Sequence, residues 1–336
     1  MKPSMVRQSV TIRDVARKAG VSVAAASYAL NDLGRISIET KAKVRSAAEE
    51  LGYCPSIAAQ ALKGTRGNLI VILTDGFAGP WYGEILEGLQ PSLKESGYAV
   101  SAMTIQEESL ALCMKLARAG LLCGLVILNP SLGRTPIMQS LVDFVPTAIF
   151  DADERLRGAQ RFVIDNRRGI VELMDHLWAR GYRDYLWVDG DSANAWDARE
   201  RGSALEEYLT ARACPSGALR RVDGKFRTDV AYRAVSEALA AGPPPRAIVA
   251  ANDESAIGAM KSVRERGLDV PGDVAIAGFD GIDISAWTEP ALTTVRYDRR
   301  ALGKSMADWV ADSLRVGAGD LGVTIVPVNL VVRGST

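Results

Sequence analysis

Histidine is almost missing from this 336-residue chain, which has only His176. Cysteine is sparse as well: Cys54, Cys113, Cys123 and Cys214 stand at spacings that suit neither a metal site nor a redox pair. His176 lies in a helical pattern between "VELMD" and "LWARG" and reads as a partly buried surface side chain, not a catalyst. There is no "GxSxG" elbow, no Walker loop and no metal-ligand spacing, and "GDSANA" is too loose to stand in for one. With no acid, base or nucleophile constellation, an enzyme is disfavoured, and neither a cofactor nor a metal is implied. No apolar run approaches the ~18 residues of a membrane-spanning helix. The opening "MKPSMVRQSV" lacks the apolar stretch and cleavage site of a secretory signal. Scattered thiols fit a reducing compartment, so the expected location is the cytoplasm.

What is present is unevenly distributed. Residues 1–66 hold eleven Lys/Arg against five Asp/Glu, whereas the remainder holds 29 against 35. A basic head on an acidic body suggests that the head meets a polyanion. The length exceeds one ordinary core, so two or three domains are expected.

In "TIRDVARKAG", Ile12, Val15, Ala16 and Ala19 recur at helical spacing on one face. Thr11 with Asp14 can form a reciprocal cap, and Gly20 supplies a turn. Ser22 can cap a second helix in "VSVAAASYALN", with Ala26, Ala29 and Leu30 facing inward and Val23, Ala24, Ser27 and Tyr28 outward. A third helix starts near Ser37, buries Val44, Ala47, Ala48 and Leu51, and stops at Gly52. Two short helices around a tight glycine turn make a helix-turn-helix.

"TIRDVARKAGVSVAAASYALN" followed by "VRSAAEELGYCP" resembles the DNA-binding head of the LacI/GalR family of bacterial transcription regulators. The resemblance implies that the second helix enters the major groove of a double-stranded operator. Its methyl-rich face then packs Val23 and Ala24 on thymine methyls, with Ser27, Tyr28 and Asn31 beside them. Thr11, Ser22, Ser37 and Lys41 are read as phosphate-positioning groups. Tyr28 stands where the family usually has arginine, and it cannot make arginine's bidentate guanine contact, so a relative's operator is not transferable. Packing on the head's own surface is the alternative reading of Tyr28.

After Pro55 comes "SIAAQALKGTRG", a helix of about eight residues capped by Ser56 and ended by Gly64. Isolated helices of even ~12–15 residues are marginal in water, so this one needs a partner. The resemblance makes it a hinge helix that pairs with its twin across a homodimer and enters the minor groove. Leu62 matches the wedging leucine and Ala59 the small residue that permits close approach. A plain linker is the alternative.

From Leu69 onward, apolar runs such as "LIVIL", "GLVILN", "AIVAAND" and "VAIAGF" alternate with helical segments including Trp81–Ser96, Arg167–Arg180 and Glu254–Arg266. Continuous apolar strands imply parallel sheets covered on both faces, here in two lobes. Ligands in such sheets sit beyond the carboxyl ends of the strands. The loops there carry Trp81, Tyr82, Trp196 and Phe226, with Trp287 further on, beside Asp75, Arg199, Asn252 and Asp280. Flat apolar faces next to hydrogen-bonding groups suit a sugar, and a nucleobase nearly as well. Core packing is the alternative for each aromatic.

"FVIDNRRG", "VPGDVAIAGFDG", "LTTVR" and "LVVRGST" resemble the same family's landmarks in order. By that resemblance Arg199, three before Gly202, is the ligand-gripping arginine and Asp280 the hydroxyl-binding aspartate. Trp81 and Tyr82 are the aromatic pair after Pro80, and Asn252 and Phe226 are weaker transfers. Gly79 replaces the family's asparagine, which leaves the role of Asp75 open.

The expected architecture is an all-α helix-turn-helix head on a periplasmic-binding-protein-like α/β body of two doubly wound parallel-sheet lobes. Its parts are a head (9–54), a hinge helix and linker (55–67), a first lobe (68–164 plus 296–322) and a second lobe (165–295 plus 323–336). The chain then crosses between lobes near Ile164, Val295 and Val323. The expected function is a ligand-responsive, sequence-specific regulator, a repressor released from a near-palindromic operator by a small polar effector such as a sugar. Two alternatives stand beside it: a solute-binding protein of the same two-lobed fold, and a corepressor-type regulator sensing a nucleobase. No leucine heptad follows "VVRGST", so a dimer is the expected assembly.

Overall fold

The computed structural model describes residues 10–30, 34–53, 67–77, 80–128, 135–150, 156–193, 195–215, 217–317 and 321–336. The chain divides into two compact units, Met1–Gly67 and Asn68–Thr336.

The first unit is built on α1 (Ile12–Ala19), α2 (Val23–Leu30) and α3 (Ile38–Leu51). Each starts where a short polar side chain satisfies an otherwise unpaired helix amide. The Asp14 carboxylate accepts from the Thr11 backbone N–H (3.0 Å) and hydroxyl (2.6 Å). Ser22 Oγ accepts from Ala25 N–H at 3.1 Å, and Ser37 Oγ from Thr40 N–H at 3.2 Å. Gly20 and Gly52 close α1 and α3 with φ of +68° and +63°, conformations that a Cβ would penalise. Val15, Ala16, Ala26, Ala29, Val44, Ala47 and Ala48 form the core. Alanine at most of these positions lets three short helices approach closely. One expectation fails here: Ser27 is buried, not outward. Both α1 and α3 pack on α2, so its covered arc is wider than one stripe and takes in position 27. Asn31, Ser56, Ala59 and Leu62, and with them the hinge helix, lie outside the described residues.

The second unit holds two six-stranded sheets of matching design. The first contains β1 (Leu69–Thr74), β2 (Ala99–Thr104), β3 (Leu122–Leu128), β4 (Thr147–Phe150), β5 (Gln160–Ile164) and β11 (Val323–Val326), in the order β11-β5-β4-β3-β1-β2. The second contains β6 (Tyr185–Asp189), β7 (Leu219–Asp223), β8 (Ala247–Ala250), β9 (Ala275–Asp280), β10 (Thr293–Arg296) and β12 (Asn329–Val331), in the order β12-β10-β9-β8-β6-β7. Every pairing is parallel except β10 with β12. Helices cover both faces: α4 (Pro80–Glu95), α5 (Glu107–Arg118), α6 (Pro136–Phe144) and α11 (Arg299–Val316) on the first sheet. On the second lie α7 (Asn166–Ala179), α8 (Trp196–Ala211), α9 (Thr228–Ala241) and α10 (Asp253–Glu265). Central strands such as β3, β8 and β9 are buried along their whole length, as their unbroken apolar runs require.

β10 and β12 are not anticipated as strands, β10 being expected only as a crossing and β12 being a three-residue, partly exposed edge. β7 ("LRRVD"), an edge without an apolar run, is implied only by the loop at its carboxyl end. The domain boundary at 323 is also corrected. β11 pairs in parallel with β5, Val323 opposite Arg161 and Val326 opposite Ile164, so it completes the first sheet. Pro327 has no N–H to extend that ladder, and the chain crosses there to β12 in the second sheet.

α4 and α11 approach each other at backbone distance because each offers a glycine to the other. A Cβ at Gly88 would fall inside the carbonyl of Arg300, and one at Gly303 inside the carbonyl of Ile85.

Candidate functional site

In both sheets the strand order reverses beside the first strand of the lobe, between β1 and β3 and between β6 and β8. Loops leaving neighbouring strands diverge at such points and open a crevice at the carboxyl ends. A cavity of about 270 Å³ lies there, lined from both lobes. Asp75 follows β1, Phe150 ends β4, and Trp81 and Tyr82 stand in the first turn of α4. The second lobe adds Asp191, Ala195, Asp197, Arg201, Lys225, Phe226, Asn252, Glu254 and Asp280, and Tyr297 comes from a crossing segment.

The aromatic wall is held by its own polar atoms. The Trp81 indole N–H donates to the Tyr297 hydroxyl, and the Tyr82 hydroxyl donates to Asp75. Trp81 meets Tyr82 edge-on at 4.6 Å and Phe150 at 5.4 Å, distances at which ring quadrupoles attract. Across the cavity, Lys225 and Phe226 turn through the left-handed region (φ +50° and +55°). The Phe226 ring occupies the space a Cβ at residue 190 would need, which only Gly190 leaves open. Asn252 holds this turn in place: its amide donates to Phe226 O at 3.3 Å while its carbonyl oxygen accepts from Ser255 N–H at 2.9 Å.

Asp280 ends β9 with φ +104°, a costly conformation for a residue with a Cβ. Arg299 over-determines it, donating to the carbonyls of Asp280 and Gly281 and, at 3.0 Å, to Glu84 on α4. This buried guanidinium thereby ties the first lobe to the second. Arg201 secures the other side of Asp280. Its guanidinium lies 3.2 Å from Asp280 Oδ1, donates to Ala251 O (2.6 Å) and Asn166 Oδ1 (2.7 Å), and stacks 3.7 Å over Phe279. Asn166 in turn donates to Asp197 at 2.5 Å. Burial pushes the Asp280 carboxyl up to about 6 against the opposing pull of Arg201 and Arg299. Burial, then Asp280, also raises Glu254.

Six of the eight residues proposed from sequence as ligand contacts line the cavity: Asp75, Trp81, Tyr82, Phe226, Asn252 and Asp280. Trp196 and Arg199 are not among the lining residues. Arg199 donates instead to Ser192 O at 3.1 Å, bracing the loop after β6. The arginine in the cavity wall is Arg201. Two residues are ~200° around a helix, so Arg199 and Arg201 point in different directions. Phe150, Asp191, Asp197, Lys225, Glu254 and Tyr297 were not singled out. For Asp191 and Lys225 the signal was present, since both lie in loops recognised as strand ends. For Tyr297 and Phe150 it was not, because a crossing segment and a buried strand end look like core. His176 is half-buried, with Nε2 2.8 Å from Thr336 Oγ1. Among the described residues no helix is long and apolar enough to cross a membrane.

On the head, Val23, Ala24 and Tyr28 are exposed along α2. Thr11, Ser22 and Ser37 stand exposed at the N-termini of α1, α2 and α3, and Lys41 is half-buried on α3. The three hydroxyl groups thus sit at helix N-termini, each engaged in its own cap.

Comparison with known proteins matches residues 11–56 to the family described as "Bacterial regulatory proteins, lacI family" and residues 174–336 to a "Periplasmic binding protein-like domain". The transcriptional repressor PurR of Pectobacterium carotovorum subsp. carotovorum is 30% identical over 97% of this chain and 96% of its own length. The lactose operon repressor of Escherichia coli K12 is 29% identical over 97% of this chain and 91% of its own. The crystal structure of the lac repressor dimer bound to operator and the anti-inducer ONPF superposes with a TM-score of 0.84 at 26% identity, covering 98% of this chain and 99% of that one.

Proposed function

The chain belongs to the lacI family of bacterial regulatory proteins, and on that premise we propose that it represses transcription from a near-palindromic operator, which it releases when a small polar effector fills the cavity. One observation carries the reading. The same chain couples a capped three-helix head presenting Val23, Ala24 and Tyr28 to a two-lobed cavity walled by aromatic and charged groups.

Each part has a physical role. Val23 and Ala24 are short enough to let α2 sit deep in a major groove and pack on thymine methyls, while Tyr28 reaches a base or phosphate. A homodimer supplies two heads, as in the lac repressor dimer bound to operator. The segment 55–67, with Ala59 and Leu62, joins its twin in the minor groove and bends the site. Effector binding between the lobes acts on that pairing. Sugars and nucleobases both suit the cavity.

Coupling of this kind is typically ~1–3 kcal/mol and reciprocal. The test is fluorescence anisotropy on an operator selected from a random duplex pool, with an effector found by thermal shift. Operator affinity should fall ~5–150-fold with effector, and effector affinity should fall by the same factor with operator. Effector binding that leaves operator affinity unchanged would refute the regulatory reading. Leu62→Ala should weaken operator binding and leave effector affinity in the absence of DNA unaltered; a parallel loss of both would remove the hinge assignment.

A further inference from the structure

The cavity is acidic as well as aromatic. Its described lining carries five carboxylates and two cationic side chains. Both cations already face a carboxylate. Arg201 is committed to Asp280, Asn166 and the carbonyl of Ala251, while Lys225 is exposed with its ammonium 3.6 Å from Asp223, a residue outside the lining. Two of the carboxylates accept hydrogen bonds from neutral donors, Asp75 from the Tyr82 hydroxyl and Asp197 from the Asn166 amide. Glu254, raised by burial and by Asp280, stands where a further negative charge is costly and a positive one relieves it.

The aromatic side agrees. Trp81 and Tyr82 direct their polar atoms to Tyr297 and Asp75, so what they offer a ligand is ring surface, and ring faces attract cations. Among the described residues no group of His, Cys, Asp or Glu is arranged to hold a metal ion. Negative charge distributed around aromatic walls fits an organic cation better than a metal.

We propose that the effector carries a protonated amine on a small polar framework, and that phosphorylated or carboxylated analogues are rejected. This inference rests on reading the cavity as the effector site. An amino sugar and a short linear polyamine share the required chemistry, so the experiment separates them.

Calorimetry on the full-length dimer would compare glucosamine with glucose, N-acetylglucosamine and glucose 6-phosphate, and putrescine with 1,4-butanediol. At least one amine should bind ten-fold or more tightly than its hydroxyl counterpart, with no binding of the phosphate. Failure of every amine to exceed its neutral partner, or binding of the phosphate, would overturn the proposal. Glu254→Gln should shrink the amine preference several-fold while circular dichroism and thermal melting stay as in the parent; an undiminished preference in both Glu254→Gln and Asp191→Asn would also overturn it. Operator anisotropy on the same samples keeps the two ideas apart. An amine that binds without releasing operator sinks the regulatory reading and leaves the charge assignment standing.

Discussion

The Arg201 guanidinium lies 3.2 Å from the Asp280 carboxylate, joining the second turn of α8 to the end of β9 in the cavity wall. Both groups are buried, and the arginine also closes bonds to Asn166 and Ala251. Removing one member of such a pair leaves an uncompensated charge, at a cost of roughly 3–5 kcal/mol. Arg201→Met should lower the stability of the body by that order in urea unfolding and abolish effector binding. Arg199→Ala, which loses one bond to Ser192 O, should stay within about 1 kcal/mol of the parent and keep effector binding. Equal losses in both variants would contradict the assignment.

The mutual glycine contact of α4 and α11 makes a second prediction. Gly88→Ala drives a methyl into the Arg300 carbonyl, and backbone cannot swing aside as a side chain can. Overpacking of this kind costs ~1–3 kcal/mol or more. Thermal melting should drop by several degrees, whereas Gly83→Ala, with open space around it, should not lower it. Unchanged melting for Gly88→Ala would mean that the helices are further apart than described.

Asp253 gives a pH dependence of defined sign. Its oxygens accept from the Thr294 hydroxyl (2.5 Å) and Ile282 N–H (2.8 Å), with Asp280 and Arg299 nearby. Burial pushes this carboxyl from an ordinary 3.8 up to about 8. Between those values the folded chain holds a proton that the unfolded chain has released, so this group's contribution to stability falls as pH rises from about 4 to about 8. The slope is at most ~1.4 kcal/mol per pH unit. Asp253→Asn keeps an acceptor for Ile282 N–H and a donor for Thr294. Urea midpoints from pH 5 to 8 should therefore be flatter in Asp253→Asn than in the parent, and identical slopes would refute the shift.

On the head, Tyr28 is exposed and Ser27 buried, so adjacent residues should respond oppositely. Tyr28→Ala should weaken operator binding by roughly 2–10-fold, the range of one lost hydrogen bond at ~0.5–1.5 kcal/mol, with melting of the head little changed. Ser27→Arg should destabilise the head itself. Intact operator affinity in Tyr28→Ala would leave that ring a surface role only.

The helical head was legible in detail because caps and turns are local. Thr11 with Asp14, Ser22, Ser37, Gly20 and Gly52 act within four residues of their helices and do what their spacing implies. The central strands were legible because full burial demands unbroken apolar runs, and the edge β12 was not, because a partly exposed edge demands none. Ser27 went wrong for a non-local reason: two helices, not one, cover α2.

By itself, the sequence determined the capped helices of the head, the buried central strands, the two parallel lobes and the loops that meet at the crevice, since strand burial and capping are read from neighbours along the chain. The facing of Arg201 into the cavity, the entry of Tyr297 and Phe150 into the wall, and the placing of β11 in the first sheet belonged to the tertiary structure. Each depends on which side of an element faces a segment far away in sequence, and the turn of a helix or the partner of an edge strand is fixed only once the two lobes have packed.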